Sequence, residues 1–259
     1  MSGDSALTLS FLNRVSVFET LRVYNGRVFL WEEHWRRLSE SCRALGHPLL
    51  LNKEAFGRWL NASLREQHLK NAALRASLHW DADGRAEGVL FIRPFISHPK
   101  EWYEKGVMLR STVYRRSSPR AQDPQVKASQ YVGGVLAILD AGGERPHELL
   151  FAGPGGTIAE GAVSNVFIIR EKCLLTPSPA SGILKGVTRA HVLRLAAKRG
   201  LETEEIPLTR HDLYTAHECF ITNTSSEILP AVEIDGRRIG DGKPGKLTRA
   251  LGKDFRKSR

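Results

Sequence analysis

The sequence predicts an α/β fold with α+β character, arranged in two domains. The segment "VSVFETLRVYNGRVFLW" alternates apolar and polar residues around Asn25-Gly26, which is a strong short-range signal for a β-hairpin. Helix-periodic segments and further strand-like runs follow it along the chain. Midway, "RRSSPRAQDPQ" has two prolines and no apolar periodicity, so it is the best candidate for a linker.

The first domain is predicted to span residues 1–116 and to be a sheet with two helices on it. The segment "EEHWRRLSESCRALG" places four apolar residues on one helical face, and Asn52 is placed to cap a second helix. Three strand-like runs come next: "ALRASLHW", "VLFIRPFI" and "VMLRSTVY". We assign all three runs to the first domain.

The second domain is predicted to span residues 127–259, after a linker at 117–126. Apolar residues repeat at three- and four-residue steps after Lys127, which predicts a helix whose first turn begins near this lysine. Strands with a glycine-rich hairpin tip at "GPGG" follow, then a helix "VTRAHVLRLAAKRG" closed by Gly200. Further strands and a final helix, "KLTRALGKDF", complete the domain.

Composition indicates a globular protein without a membrane or export segment. The chain has 259 residues, 41% of them apolar and 25% charged, with a formal charge of +10. No apolar run approaches the roughly 20 residues that a membrane helix needs. The three cysteines are far apart and outside any CxxC pattern, so we expect reduced thiols, no bound metal and a cytoplasmic protein. Lys and Arg are spread along the chain, which disfavours a nucleic-acid-binding face.

Three charged residues have both a structural and a chemical interpretation. Lys127 is either a surface lysine that covers apolar neighbours or a desolvated amine that forms a Schiff base. Glu160 lies among apolar and small residues, so a cation should face it, either an arginine or a pyridinium nitrogen. Arg37 could bind a phosphate bidentately or form a surface ion pair. In each case the residues alone favour the structural interpretation: the surface lysine, the arginine partner and the ion pair.

The start of the helix at Val187 is a possible phosphate site. Gly182, Gly186 and Thr188 surround this start, and a helix N-terminus presents N–H donors and a favourable dipole to an anion. A plain loop before a helix would have the same pattern. This motif is therefore weak by itself.

Six motifs, in order and with similar spacing, resemble the class IV (fold type IV) pyridoxal-phosphate aminotransferases. That family includes branched-chain and D-amino acid aminotransferases and aminodeoxychorismate lyases. The resemblance runs from about residue 15 to residue 250. It rests on "VFETLRVYNGRVFLWEEHWRRL", "QVKASQY", "TIAEGAVSNVF", "TPSPASGILKGVTR", "ITNTSSEILPAVEIDGRRIG" and "GKPGKLT".

The resemblance implies a two-domain fold with pyridoxal 5'-phosphate between the domains, in a homodimer. It makes Lys127 the Schiff-base lysine and Glu160 the partner of the pyridine nitrogen. The phosphate ligands that it implies are Arg37, the backbone of Val187 and Thr188, and the hydroxyl of Thr224. The expected reaction is transfer of an amino group between an amino acid and a 2-oxo acid. Aminodeoxychorismate lyase, which eliminates pyruvate, is the alternative, and a basic nucleic-acid-binding protein is a remote one.

The chain departs from the family pattern in segments that the family uses for its substrate. The strand and "GDG" turn that precede "FET" in the family are absent or reduced to "LNRVSV", and the "TRG" carboxylate motif is lacking. Arg75 aligns with an arginine of branched-chain members and is a weak substrate candidate. Tyr131 follows Lys127 by four residues, as in the D-amino acid and lyase branches, and is a weak cofactor candidate.

Overall fold

The computed structural model describes residues 15–47, 49, 51–80, 86–118, 121–129, 132–140 and 146–259. The chain divides into two compact units. Unit 1 comprises Met1–Ile96 with Val126–Gln130, and unit 2 comprises Ser97–Gln125 with Tyr131–Arg259. No helix among the described residues is long and apolar enough to cross a bilayer.

Unit 1 contains an antiparallel sheet with strand order β2-β1-β3-β4. Its strands are β1 (Val15–Tyr24), β2 (Arg27–Val28), β3 (Ala72–Trp80) and β4 (Ala86–Pro94). The predicted hairpin between β1 and β2 is confirmed. Asn25 and Gly26 have φ values of 49° and 80°, and a two-residue hairpin turn with both central φ values positive suits these residue types.

Two helices cover one face of this sheet, α1 (Trp31–Ala44) and α2 (Lys53–Glu66). The Asn52 side chain accepts a hydrogen bond from the Ala55 backbone N–H at 2.8 Å, so the predicted cap of α2 is confirmed. Apolar side chains of both helices pack against one face of β1 and β3. This core includes Leu21, Leu38, Cys42, Phe56, Leu60 and Leu74.

The segment that carries Lys127 pairs with β1 instead of starting a helix. Val17 and Ala128 form an antiparallel bridge, and the Phe18 N–H donates to the Lys127 carbonyl at 2.9 Å. The predicted start of the helix is therefore wrong, because the helix in this region spans Val132–Asp140. Backbone groups at 127 and 129 are used in pairing with β1, and the apolar periodicity applies only to the residues that follow.

Unit 2 contains a mixed sheet with strand order β10-β9-β8-β11-β12-β5-β6-β7, and β13 pairs with β12. Its strands are β5 (Val107–Arg115), β6 (Glu148–Ala152), β7 (Ile158–Gly161), β8 (Asn165–Arg170), β9 (Cys173–Pro177), β10 (Glu202–Ile206), β11 (Glu218–Asn223), β12 (Glu227–Ile234) and β13 (Arg237–Arg238). The "GPGG" segment joins the antiparallel strands β6 and β7, so the predicted hairpin tip is confirmed.

Helices of unit 2 are α3 (Lys100–Lys105), α4 (Val132–Asp140), α5 (Val187–Lys198), α6 (Arg210–Tyr214) and α7 (Lys246–Ser258), with a 3₁₀ turn at Pro179–Ser181. Gly200, which follows α5, has a φ of 72°, as expected for a glycine that ends a helix. The predicted helix and its stop are thus confirmed.

The boundary between the units differs from the predicted one. Strand β5 was expected in the first domain, but it pairs in parallel with β12 and β6 of unit 2. Conversely, Lys127 was expected in the second domain, but it pairs with β1 of unit 1. Alternating apolar residues predict that a segment is a strand, but they do not identify its neighbours, and this explains both differences.

Candidate active site

Lys127 lies on the face of the unit 1 sheet that the helices do not cover. Its neighbours Val126 and Ala128 are buried in the core beneath the helices, and side chains of an extended segment alternate between faces. The Lys127 ammonium Nζ lies 4.5 Å from the centre of the Phe18 ring. The Lys127 backbone N–H donates to Ser41 Oγ at 3.2 Å. The lysine is half-buried and held at its backbone from two sides.

Arg75, the weak substrate candidate, lies on the same face as Lys127. Its guanidinium carbon is 3.5 Å from the centre of the Phe18 ring. Its Nη2 donates to Ser129 Oγ at 3.1 Å. Phe18 therefore contacts two cationic side chains, one from β3 and one from the segment that pairs with β1.

Arg37 contacts a buried carboxylate of β1. Its Nε and Nη2 donate to the two oxygens of Glu19, each at 2.7 Å, and His34 Nδ1 lies 2.7 Å from one of them. Burial alone would raise the pKa of Glu19, but the charge of Arg37, with His34, holds it at about 2. Burial lowers the pKa of His34 despite Glu19, so we assign a neutral imidazole that donates from Nδ1. Of the two interpretations given for Arg37, the ion pair is present, although it is buried and not on the surface.

Glu160 lies on β7, buried, with both carboxylate oxygens contacted. Arg116 Nη2 lies 3.2 Å from Oε1, and Oε2 accepts hydrogen bonds from Asn165 Nδ2 at 3.1 Å and the Leu184 N–H at 3.0 Å. The expectation that a cation faces this carboxylate is met by an arginine of the protein.

Arg116 also donates hydrogen bonds to the backbone at the end of β7, the strand that carries Glu160. Its Nη2 donates to the carbonyl oxygens of Gly161 at 2.5 Å and Ala162 at 3.1 Å. The guanidinium lies 4.7 Å from the centre of the Phe151 ring. A cation this close favours the charged form of a carboxylate. Arg116 therefore holds Glu160 in position and favours its anionic form.

The N-terminus of α5 is joined to Glu160 through Asn165. The Asn165 amide donates to the Leu184 carbonyl at 3.0 Å as well as to Glu160, and Gly186 is the N-cap of α5. A Cβ at Gly186 would collide with the Asn165 side-chain oxygen, so the close approach requires glycine. Val187 and Thr188 are the first residues of this helix, and their N–H groups have no acceptor within it.

Thr224, the predicted hydroxyl ligand, lies in the turn between β11 and β12, where Asn223 Oδ1 accepts from two backbone N–H groups. Thr222, two residues earlier, is opposite Asn165 in the β11–β8 register. Its hydroxyl is buried, and no hydrogen-bond partner exists for it among the described residues. A buried hydroxyl of this kind is typical of a site that a ligand completes.

The predicted residues form two groups, one in each unit. Unit 1 carries Lys127, Arg37 and Arg75, and unit 2 carries Glu160, Val187, Thr188 and Thr224. Tyr131 lies outside the described residues. No cluster of three or more metal-binding side chains occurs within the described part of the chain.

Sequence reasoning missed three polar residues of this site, Arg116, Asn165 and Thr222. Arg116 stands at the end of the predicted first domain, within "RRSSPRAQDPQ", the segment that was the linker candidate. Asn165 and Thr222 are polar residues within apolar strands, a pattern that could have indicated them.

Comparisons with known proteins place this geometry among aminotransferases. Residues 16–234 match the family "Amino-transferase class IV". A protein of Methanocaldococcus jannaschii, provisionally named a branched-chain-amino-acid aminotransferase, is 36% identical over 247 residues, covering 93% of this chain and 85% of the relative.

Solved structures agree with the sequence comparisons. The branched-chain amino acid aminotransferase of Escherichia coli superposes with a TM-score of 0.88 at 26% identity, covering 94% of this chain and 85% of its own. The PLP form of the Thermobaculum terrenum branched-chain aminotransferase has a TM-score of 0.86 at 29% identity, covering 93% and 84%. The fold class predicted from the sequence is thereby confirmed.

Proposed function

The chain belongs to the class IV aminotransferase family, and we propose that it transfers amino groups through Lys127 and Glu160. The protein is an enzyme, a pyridoxal-phosphate-dependent transaminase that acts between an amino acid and a 2-oxo acid. The observation that carries the residue assignment is the position of Lys127, a half-buried amine held by its backbone against β1 and Ser41.

The residues present fit pyridoxal 5'-phosphate. The buried Glu160 carboxylate, fixed by three donors, suits a protonated ring nitrogen. The first N–H groups of α5, at Val187 and Thr188, suit a phosphate. The unsatisfied hydroxyl of Thr222 suits a polar group of a ligand. We propose Thr224 and Arg37 as further phosphate contacts, as the family resemblance implies.

When bound, pyridoxal phosphate supplies an electron sink for the bonding electrons of the substrate Cα–H bond. In our proposal Lys127 would hold the cofactor through its amine and, once free, would take the proton from the substrate Cα as a base and deliver it as an acid to the cofactor carbon C4′. Glu160 would keep a proton on the ring nitrogen, and Arg116, 3.2 Å from its carboxylate, would favour the anionic form that this requires. The phosphate contacts do no chemistry, but they restrain rotation of the ring during two successive half-reactions.

The lyase alternative is not favoured. The relative reported above is an aminotransferase by name, and both superposed structures are branched-chain amino acid aminotransferases. Branched-chain amino acids are therefore one candidate substrate class for this chain.

Assembly and location are also proposals. We propose a homodimer, because members of the family build each active site with loops from a neighbouring subunit, and sedimentation of a fully active monomer would contradict it. We propose a cytoplasmic location because Cys42, Cys173 and Cys219 form no disulfide in the described structure.

Borohydride reduction of the protein with bound pyridoxal phosphate tests the assignment of Lys127. Peptide mapping should place the reduced cofactor on Lys127, and Lys127→Ala should lose both the label and transamination. Lys105→Ala is the control, because Lys105 is 74% exposed and pairs with Glu101 one helical turn away. Cofactor that remains covalently attached to a lysine of Lys127→Ala would contradict the proposal.

A further inference from the structure

The segment at 183–185 leads into α5 and lies outside every strand and helix. Its backbone groups bond to side chains instead. The Leu184 N–H donates to Glu160 Oε2 at 3.0 Å, and the Leu184 carbonyl accepts from Asn165 Nδ2 at 3.0 Å. Because buried backbone groups require partners, the path of this segment depends on the side chains that supply them.

Gln125 supplies the remaining partners of the same segment. Its Nε2 donates to the Ile183 carbonyl at 2.7 Å, and its Oε1 accepts from the Lys185 N–H at 3.4 Å. One side-chain amide therefore bonds to the residue before Leu184 and to the residue after it. All of these residues belong to unit 2.

The contacts of Gln125 and Glu160 meet on one peptide group. The Ile183 carbonyl and the Leu184 N–H belong to the same planar, trans peptide unit, in which they point in opposite directions. Gln125 holds the oxygen of this unit and Glu160 accepts from its N–H. A rotation of the unit that breaks one hydrogen bond therefore misdirects the other.

Two features keep this arrangement fixed. The Gln125 N–H donates to Asp123 Oδ1 at 2.8 Å, and Pro124 between them has a restricted φ, so the backbone that carries the amide is constrained. At the other end, Ile183 is 1% exposed, so water has little access to its carbonyl. A carbonyl in such a position that loses its donor pays the cost of desolvation.

We propose that Gln125 is a positioning residue for Glu160, on which it acts through the peptide group between Ile183 and Leu184. The amide keeps the Leu184 N–H directed at Glu160 Oε2, and a hydrogen bond of this kind favours the charged form of a carboxylate. This inference rests on the proposed role of Glu160 in transamination. The segment that the sequence predicts as a linker thus also supports the chemistry.

Amide hydrogen exchange, followed by NMR on the full chain incubated with pyridoxal phosphate, tests this coupling without catalysis. Gln125→Met keeps the length of the side chain and removes both of its hydrogen bonds. The Leu184 amide should then exchange about twofold to tenfold faster, although its acceptor Glu160 is unchanged. Gln122→Met, a half-buried glutamine of the same linker, is the matched control and should leave this rate unchanged. A wild-type rate at Leu184 in Gln125→Met would overturn the proposal.

A second variant separates the two hydrogen bonds of Gln125. Gln125→Glu keeps an acceptor for the Lys185 N–H, but its ionised carboxylate cannot donate to the Ile183 carbonyl. It should therefore accelerate exchange at Leu184 as Gln125→Met does. Protection of Leu184 that survives in Gln125→Glu would show that the bond to Ile183 does not orient this peptide, against the proposal.

Kinetics show whether the coupling reaches the reaction. In Gln125→Met we expect kcat to fall by about twofold to tenfold, with less than about a twofold change in KM for the amino donor. In a Glu160→Gln background the same substitution should change kcat by less than about twofold, because Gln125 acts through Glu160. Equal losses in both backgrounds would refute that route. Absence of transamination in the wild type would contradict the proposed function instead, and exchange at Leu184 would still decide the role of Gln125.

Discussion

Arg37 and Glu19 form a bidentate ion pair within unit 1, with Nε and Nη2 of the arginine each 2.7 Å from a carboxylate oxygen. Arg37 is 11% exposed and Glu19 2%. An arginine that the family resemblance assigns to a phosphate thus also neutralises a buried carboxylate of the protein. Its contribution to the fold and its contribution to the cofactor can be measured separately.

Removing Arg37 should destabilise unit 1. Arg37→Ala leaves the Glu19 carboxylate buried without its arginine, and breaking one partner of a buried ion pair costs about 3–5 kcal/mol. Urea unfolding of the apo-protein measures this loss. Glu19→Gln in the same chain should recover part of it, and Arg36→Ala, whose side chain is 69% exposed on the same helix, should cost less than about 1 kcal/mol. An unchanged unfolding midpoint for Arg37→Ala would show that the pair contributes nothing.

Phosphate anchoring by Arg37 should appear as a difference between two ligands. Arg37→Ala is expected to weaken binding of pyridoxal phosphate by about tenfold to a hundredfold, because a charge-assisted contact contributes about 1.5–3 kcal/mol. Binding of pyridoxal, which lacks the phosphate, should change little. Glu19→Gln is the control that disturbs the pair while keeping the arginine, and it should preserve the preference for the phosphorylated ligand. Equal weakening of both ligands by Arg37→Ala would assign this arginine to the fold alone.

Lowering the pH should reduce the free energy of unfolding, because Glu19 is a stronger acid in the folded state than in the unfolded state. Its pKa is lowered from 4.5 to about 2 in the folded state, so the unfolded state binds the proton first as the pH falls. The stabilisation is present above pH 4.5 and is lost as the pH falls towards 2. The lowered pKa of His34 acts in the same direction below pH 6.5. Unfolding free energies at pH 7, 5 and 3.5 should fall more steeply in the wild type than in Glu19→Gln, and parallel curves would refute the assignment.

Arg116 should affect the rate of transamination more than the binding of substrate. Arg116→Ala removes the cation 3.2 Å from Glu160, so we expect kcat to fall by about tenfold to a hundredfold with a smaller change in KM. Arg116→Lys keeps the charge and should restore part of kcat. Arg115→Ala, the exposed neighbour, is the matched control.

Glu160→Gln should slow the proton transfer strongly while cofactor still binds, and full activity in that variant would remove Glu160 from its role.

Gly186 should tolerate no side chain. Gly186→Ala would push the Asn165 side chain away and weaken its hydrogen bonds to Glu160 and the Leu184 carbonyl. We expect weaker binding of pyridoxal phosphate, measured by titration of the apo-protein. Gly57→Ala is the comparison, because its Cβ would lie 3.9 Å from Trp31 in ordinary contact and alanine favours a helix. A Gly186→Ala protein with wild-type affinity would show that this close approach is dispensable.

Local patterns predicted elements well and long-range pairing poorly. The Asn25-Gly26 turn, the Asn52 cap and the Gly200 stop each depend on a few adjacent residues, and each is confirmed. Strand β5 and the Lys127 segment depend on partners far away in sequence, and both were placed in the wrong unit. Sequence alone could not reveal those partners.

The same distinction applies to the candidate site. Motif order indicated Lys127 and Glu160, but the ion pairs of Arg37 with Glu19 and of Arg116 with Glu160 join residues 18 and 44 positions apart. The placement of Arg22 and Arg93 on either side of Ala73 depends on the register of three strands, which alternation does not specify.

The path of the chain through unit 1 imposes an order on the folding of this unit during synthesis. Because the chain leaves this unit at Ile96 and returns at Val126, a ribosome must complete the intervening stretch before the bridge between Val17 and Ala128 can close. The first 96 residues emerge without the last piece of their own sheet. A nascent chain stalled before residue 126 therefore exposes an unpaired edge of β1, where a chaperone or a second nascent chain could bind.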